Sequence, residues 1–89
     1  MQHKPVTIIN KLGLHARAVV KLVQVAAKFD CDISIVHNDK KVNGKSIMGV
    51  MMLAASIDST IELITSGPDE IIAITELEHL ILDRFGEVE

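Results

Sequence analysis

The strongest constraint on this chain is the order in which two hydrophobic periods alternate within only 89 residues. Short runs with a period of two read as strands buried on one face. Longer runs with apolar residues three and four apart read as helices lying on a core. Val6-Thr7-Ile8-Ile9 opens the series as a strand, with Val6 and Ile8 on one face. After a break over Asn10 to Leu14 the period changes to helix, from about Ala16 to Ala27. Val19, Leu22, Val23 and Ala26 point inward there, and Lys21, Gln24 and Lys28 lie outside. Ile33-Ser34-Ile35-Val36 is a second strand with Ile33 and Ile35 inward. His37-Asn38-Asp39-Lys40 supplies a hairpin turn, since Asn and Asp tolerate positive φ, and leads into a short third strand, Lys41-Val42-Asn43. Ser46 is placed to cap a short helix from about Ile47 to Leu53, which carries Gly49 at a cost of up to about 1 kcal/mol relative to alanine. A fourth strand spans Ser59 to Ile64, with Ile61 and Leu63 inward. Ser66-Gly67-Pro68 breaks it, and a third helix runs from about Asp69 to Arg84 with a stripe of Ala73, Ile74, Leu77, Leu80 and Ile81. Asp69 and Glu70 suit the first turn of that helix; Gly86 ends it, and the residues beyond are expected to fray.

The resulting order is β-α-β-β-α-β-α. Strands that alternate inward and outward leave one sheet face in the core and the other in solvent. The expected class is therefore α+β: a two-layer open-faced sandwich whose four-stranded, mostly antiparallel sheet is covered on one face by helices. A single domain over residues 1–89 is expected, without linker or internal repeat.

Composition narrows the function. A net charge of −3, no basic block beyond Lys40-Lys41, and only Phe29 and Phe85 as aromatics argue against a nucleic-acid partner. No apolar run approaches the roughly 20 residues of a membrane span, so no membrane insertion is expected. Met1-Gln2-His3-Lys4-Pro5 lacks the apolar core of a signal peptide, and Cys31 stands alone, so a cytoplasmic location is expected. Acidic residues gather late in the chain and basic ones early, so the end of the fold carrying His15 is expected to face an acidic partner surface.

The stretch that carries chemistry is Gly13-Leu14-His15-Ala16-Arg17. It sets His15 at, or within one residue of, the N-cap of the first helix, where backbone N–H groups are free and the helix dipole favours an anion. A neutral imidazole is a good phosphoryl acceptor. The amides of Ala16 and Arg17 could hold phosphate oxygens, and the Arg17 guanidinium could add a charge-assisted contact. A plain surface cap is the competing reading of the same residues. His3 in the expected frayed end, His37 in the turn and His79 on the last helix show no metal-ligand spacing, and neither metal nor cofactor is expected.

Asn10-Lys11-Leu12-Gly13-Leu14-His15-Ala16-Arg17 resembles the active-site motif of the HPr family, the histidine-containing phosphocarriers of the bacterial phosphoenolpyruvate-dependent phosphotransferase system. Lys45-Ser46-Ile47-Met48-Gly49-Val50-Met51 is similar to the regulatory-serine segment of that family, and both segments stand in register on an HPr-like element order. The resemblance implies that His15 accepts a phosphoryl group on Nδ1 from Enzyme I and passes it to an EIIA-type domain. The protein would then be a carrier and a substrate of Enzyme I, not an enzyme. It assigns phosphate stabilisation to Arg17, regulatory phosphorylation by an HPr kinase/phosphorylase to Ser46, and partner contact to Ile47, Met48 and Met51. A monomer is expected. Two alternatives share these residues: a nitrogen-related regulatory carrier, and a non-catalytic corepressor module read through phospho-Ser46. One position departs from the pattern: Ala18 stands where the family usually has proline.

Overall fold

The computed structural model describes residues 1–89. Strands form at Gln2–Thr7 (β1), Asp32–His37 (β2), Lys40–Asn43 (β3) and Thr60–Ser66 (β4). Helices form at Ala16–Ala26 (α1), Ile47–Met51 (α2) and Glu70–Leu82 (α3), and a single 3-10 turn follows at Arg84–Gly86. The sheet order is β1-β4-β2-β3 and every pairing is antiparallel. The period-two residues fall as the alternation requires: Val6, Ile33, Ile35, Ile61 and Leu63 are buried, as is Ile8 just beyond β1. The inward stripes of α1 and α3 close over them, and Ile8, Leu22, Ile35, Leu63, Leu77 and Ile81 have no exposed surface. Each such aliphatic side chain contributes about 1.5–3 kcal/mol by leaving water. The turn between β2 and β3 holds Asn38 and Asp39 at φ 50° and 67°, the left-handed region for which those residue types are suited.

Several boundaries differ from the sequence expectation. β1 begins at Gln2, so His3 is a paired strand residue opposite Ile64 and not part of a frayed end. Gln2-His3-Lys4-Pro5 has no apolar period, but the free edge of β4 offers backbone partners whatever the side chains are. Pro5 is tolerated because β1 is an edge strand. β4 extends to Ser66, burying Thr65, whose hydroxyl donates to the Glu70 carbonyl at 2.9 Å. α2 ends at Met51, and Leu53 is held by a tighter bond from its N–H to the Val50 carbonyl. α3 stops at Leu82, and Phe85 in the turn after it is 1% exposed and plugs the core. Of the residues expected to fray, Glu87 is tied down by Asn10 and His15 while Val88 stays exposed.

The start of α3 is also wired differently from a simple cap. Asp69 occupies the N-cap position, yet its carboxylate turns to accept the N–H groups of Asp30 and Cys31 at 2.8 and 2.9 Å, tying the α1–β2 loop to α3. Cys31 is buried there, and its thiol is pushed up to about 11, first by burial and then by Asp69. Glu70 instead accepts the Gly67 N–H at 3.0 Å, with further bonds from the N-terminal ammonium and Gln2. Those contacts, the Gly67 amide foremost, hold its carboxyl down at about 2. A depressed carboxylate stabilises the fold above its unfolded value and loses that contribution as pH falls through the folded one. The urea midpoint is therefore expected to fall between pH of about 4.5 and about 2, and Glu70→Gln should flatten that limb while leaving the rest of the profile in place.

Candidate functional site

His15 is the N-cap of α1, at φ −77° and ψ 173°. Its carbonyl accepts the Val19 N–H at 3.0 Å, but its side chain makes no capping bond, so the imidazole is not spent on the helix end. No intrachain hydrogen bond engages the amides of Ala16, Arg17 and Ala18. Ala16 and Arg17 are exposed, whereas Ala18 is fully buried on the inner side of α1. Open amides at a helix N-terminus favour an anion, and Arg17 borders the same depression as His15 and Ala16.

The loop that delivers His15 is clamped from two sides. Gly13, at φ +64°, lies so near the segment after α2 that a Cβ there would sit 2.7 Å from the Ala55 carbonyl oxygen. Leu14 N–H donates to that same carbonyl at 2.9 Å. On the other side, Asn10 is fully buried. Its Nδ2 donates to the Gly13 carbonyl at 2.8 Å and to Glu87 Oε1 at 3.0 Å.

Glu87 is the site residue that sequence reasoning did not find. Its second carboxylate oxygen, Oε2, pairs with His15 Nε2. The two side chains are 26% and 17% exposed, so the pair is largely shielded from water. Burial works against the charge on Glu87, but the Asn10 and His15 bonds and the nearby charge of Lys21 outweigh it, holding the carboxyl below its ordinary range. The strap carrying Glu87 is fixed by the Phe85 plug, by Lys21 Nζ donating to the Phe85 carbonyl at 2.6 Å, and by Lys11 N–H donating to the Glu89 carbonyl at 2.5 Å. Lys21, expected on the outside of α1, is thus half-buried under the strap. The expected segregation of charge fails here as well, because Glu87 and Glu89 return to the basic end of the fold. The available signal was Phe85-Gly86: an aromatic followed by glycine, just past a helix end, is more consistent with a docked turn than with a fraying tail.

The second segment is built as its sequence suggested. Ser46 caps α2, its Oγ accepting the Gly49 N–H at 3.1 Å. Val50 and Leu53 are buried, while Ile47, Met48 and Met51 are 46%, 72% and 42% exposed. α2 packs against α1, the helix that begins at His15. No helix is long and apolar enough to cross a membrane.

Residues 2–83 match the family model described as "PTS HPr component phosphorylation site". The chain belongs to the HPr family. Phosphocarrier protein HPr of Cupriavidus necator is 55% identical over 89 residues, covering all of both chains. The HPr of Neisseria meningitidis serogroup A is 52% identical over the same full length. Among solved structures, HPr-C-His from Thermoanaerobacter tengcongensis superposes with a TM-score of 0.96 at 44% identity, covering both chains completely. The α+β open-faced sandwich is thus the HPr fold, and the chain is a phosphocarrier of the phosphotransferase system. The stretch matched by the HPr model stops at residue 83, short of Phe85 and Glu87.

Proposed function

We propose that His15 is the phosphoryl-bearing residue of this carrier. It receives the group on Nδ1 from phosphorylated Enzyme I and yields it to an EIIA-type domain in the cytoplasm. One observation carries this reading: an imidazole stands at the N-cap of α1 without capping it, beside open amides at Ala16 and Arg17. The phosphate oxygens would be met by those amides and by the Arg17 guanidinium. Nothing in the arrangement breaks the new P–N bond, so the group can be handed on. Incubation with Enzyme I and phosphoenolpyruvate should add the mass of one phosphoryl group, labile to acid and located on residue 15. A wild-type protein that gains no such mass overturns the proposal.

Ala18 is the third residue of α1, and its N–H has no partner. Proline is tolerated in a first helical turn for that reason. Ala18→Pro is therefore expected to change the rate of phosphoryl uptake by less than about tenfold, measured by stopped-time mass spectrometry.

Ile47, Met48 and Met51 form the partner-docking patch of this reading, and Ser46 is its regulatory phosphorylation site for an HPr kinase/phosphorylase. Exposed methionines adapt to different partner surfaces at little cost. Met48→Glu should weaken binding of Enzyme I and EIIA by about tenfold or more in titration calorimetry. With a side chain that exposed, the melting temperature should stay within a few degrees of wild type. A phosphate on Ser46 would add negative charge at a helix N-terminus, where the fold tolerates it, beside the same patch.

A further inference from the structure

We propose that Glu87 is a positioning residue that fixes the tautomer of His15. The proposal rests on His15 being the phosphoryl acceptor. A neutral imidazole carries its proton on one nitrogen only, and the nitrogen that attacks must be the bare one. Glu87 Oε2 faces Nε2, and a carboxylate can only accept. The proton therefore belongs on Nε2, and Nδ1 is left with its lone pair. The same logic orients the histidine of a Ser-His-Asp triad through the carboxylate behind it.

The carboxylate is itself held in place. Asn10 is fully buried and donates from Nδ2 to two acceptors, the Gly13 carbonyl and Glu87 Oε1. Turning its amide over would aim oxygen at both, so its orientation is set by the network. With Oε1 engaged by Asn10, only Oε2 remains for His15. The other charged groups around the ring are Lys11, Arg17, Lys21 and Glu89, all bordering the same depression. None of them has a hydrogen bond to either ring nitrogen, so the Glu87 contact alone selects between them.

During transfer the bond from phosphorus to the donor's leaving nitrogen breaks, and its electron pair stays with the donor. The Nδ1 lone pair forms the new N–P bond. The Nε2 proton is not lost; it remains in the bond to Glu87, whose charge offsets the positive charge gained by the ring. Return of the group to an acceptor reverses each of these changes.

The decisive variant is Glu87→Gln. The introduced amide has one oxygen, and the fixed Asn10 side chain claims it, so the new NH2 group points at Nε2 and donates. The favoured tautomer is then inverted, with the proton on Nδ1, while the bond to the strap survives. Glu87→Ala leaves both tautomers in exchange. Two measurements test this: nitrogen-15 NMR of the imidazole at alkaline pH, and the initial rate of phosphoryl uptake from Enzyme I. We expect Nε2–H to dominate in wild type, a mixture in Glu87→Ala and Nδ1–H in Glu87→Gln. The expected rates fall about tenfold to a hundredfold in Glu87→Ala and at least as far in Glu87→Gln, in line with the loss of one charge-assisted bond. Glu89→Gln, which alters the same strap at a side chain that pairs with Lys11 and makes no bond to the ring, should match wild type in both. Wild-type-like tautomer and rate in Glu87→Gln, or equal slowing in Glu89→Gln, overturns the role of Glu87 and leaves His15 as acceptor. A wild-type chain that takes up no phosphoryl group overturns the assignment of His15 instead.

Discussion

His15→Ala is expected to take up no phosphoryl group from Enzyme I while unfolding within a few degrees of wild type. Both halves follow from how the imidazole is held. Its side chain contributes no cap to α1, so the helix start keeps its geometry when the ring is removed. The backbone bond from Val19 N–H to the carbonyl of residue 15 is untouched. The one bond lost is to Glu87, whose carboxylate keeps Asn10 and gains water through the vacated volume. A cost of about 1 kcal/mol is the expected order. His3, His37 and His79 remain in the variant, so residual acid-labile phosphate would show that another imidazole serves the partners. Mass spectrometry after incubation with phosphoenolpyruvate and Enzyme I, alongside a thermal melt, measures both.

Phe85→Ala is expected to have the largest effect on stability. The ring is 1% exposed, and it packs inside the single buried cluster that also contains Leu22 and Ile81. Deleting a buried phenyl group costs about 3–5 kcal/mol through lost transfer energy and the cavity left behind. Residues 84 and 85 both lie in the left-handed region, at φ 57° and 54°. A non-glycine residue is uncommon there, and the burial of the ring is what offsets the conformation. Alanine keeps the strain and loses the compensation. For a chain of this size the melting temperature should drop by on the order of 15 to 30 °C. Below that transition the strap should loosen first, so the variant is also expected to lose the ordered Glu87–His15 contact, visible as disappearance of the Nε2–H signature. A Phe85→Ala protein that melts like wild type would place the phenyl group outside the core.

His15 and Glu87 mark what the sequence makes legible and what it does not. The place of His15 at the start of α1 was legible because its surroundings are local: a glycine-containing break, then a helical period. Likewise the core faces of α1, α3 and the strands follow from periodicity alone, since burial repeats with the turn of the helix or the pleat. Glu87 was not legible. Its partner lies 72 residues away, and Glu87-Val88-Glu89 has the composition of a solvated tail. Asp69 shows a subtler failure. Its place at the start of α3 is what the sequence indicates, yet its carboxylate serves the amides of Asp30 and Cys31 across a loop. Periodicity reports which way a side chain faces within its own element, and carries nothing about which distant backbone group will meet it. The early residues of β1 belong to the same class, because an edge strand can form on backbone pairing with polar side chains throughout.

The double clamp on the Asn10–His15 loop has a consequence for biosynthesis. One jaw is Ala55 and the other is the turn at Phe85–Glu87, so the loop is held by chain translated well after it. A nascent polypeptide that has emerged only as far as α3 has its histidine but neither the aromatic plug nor the carboxylate behind the ring. On the proposed roles of His15 and Glu87, uptake of a phosphoryl group would wait on synthesis of the strap, and a fragment released before it would offer Enzyme I an imidazole with no carboxylate behind it.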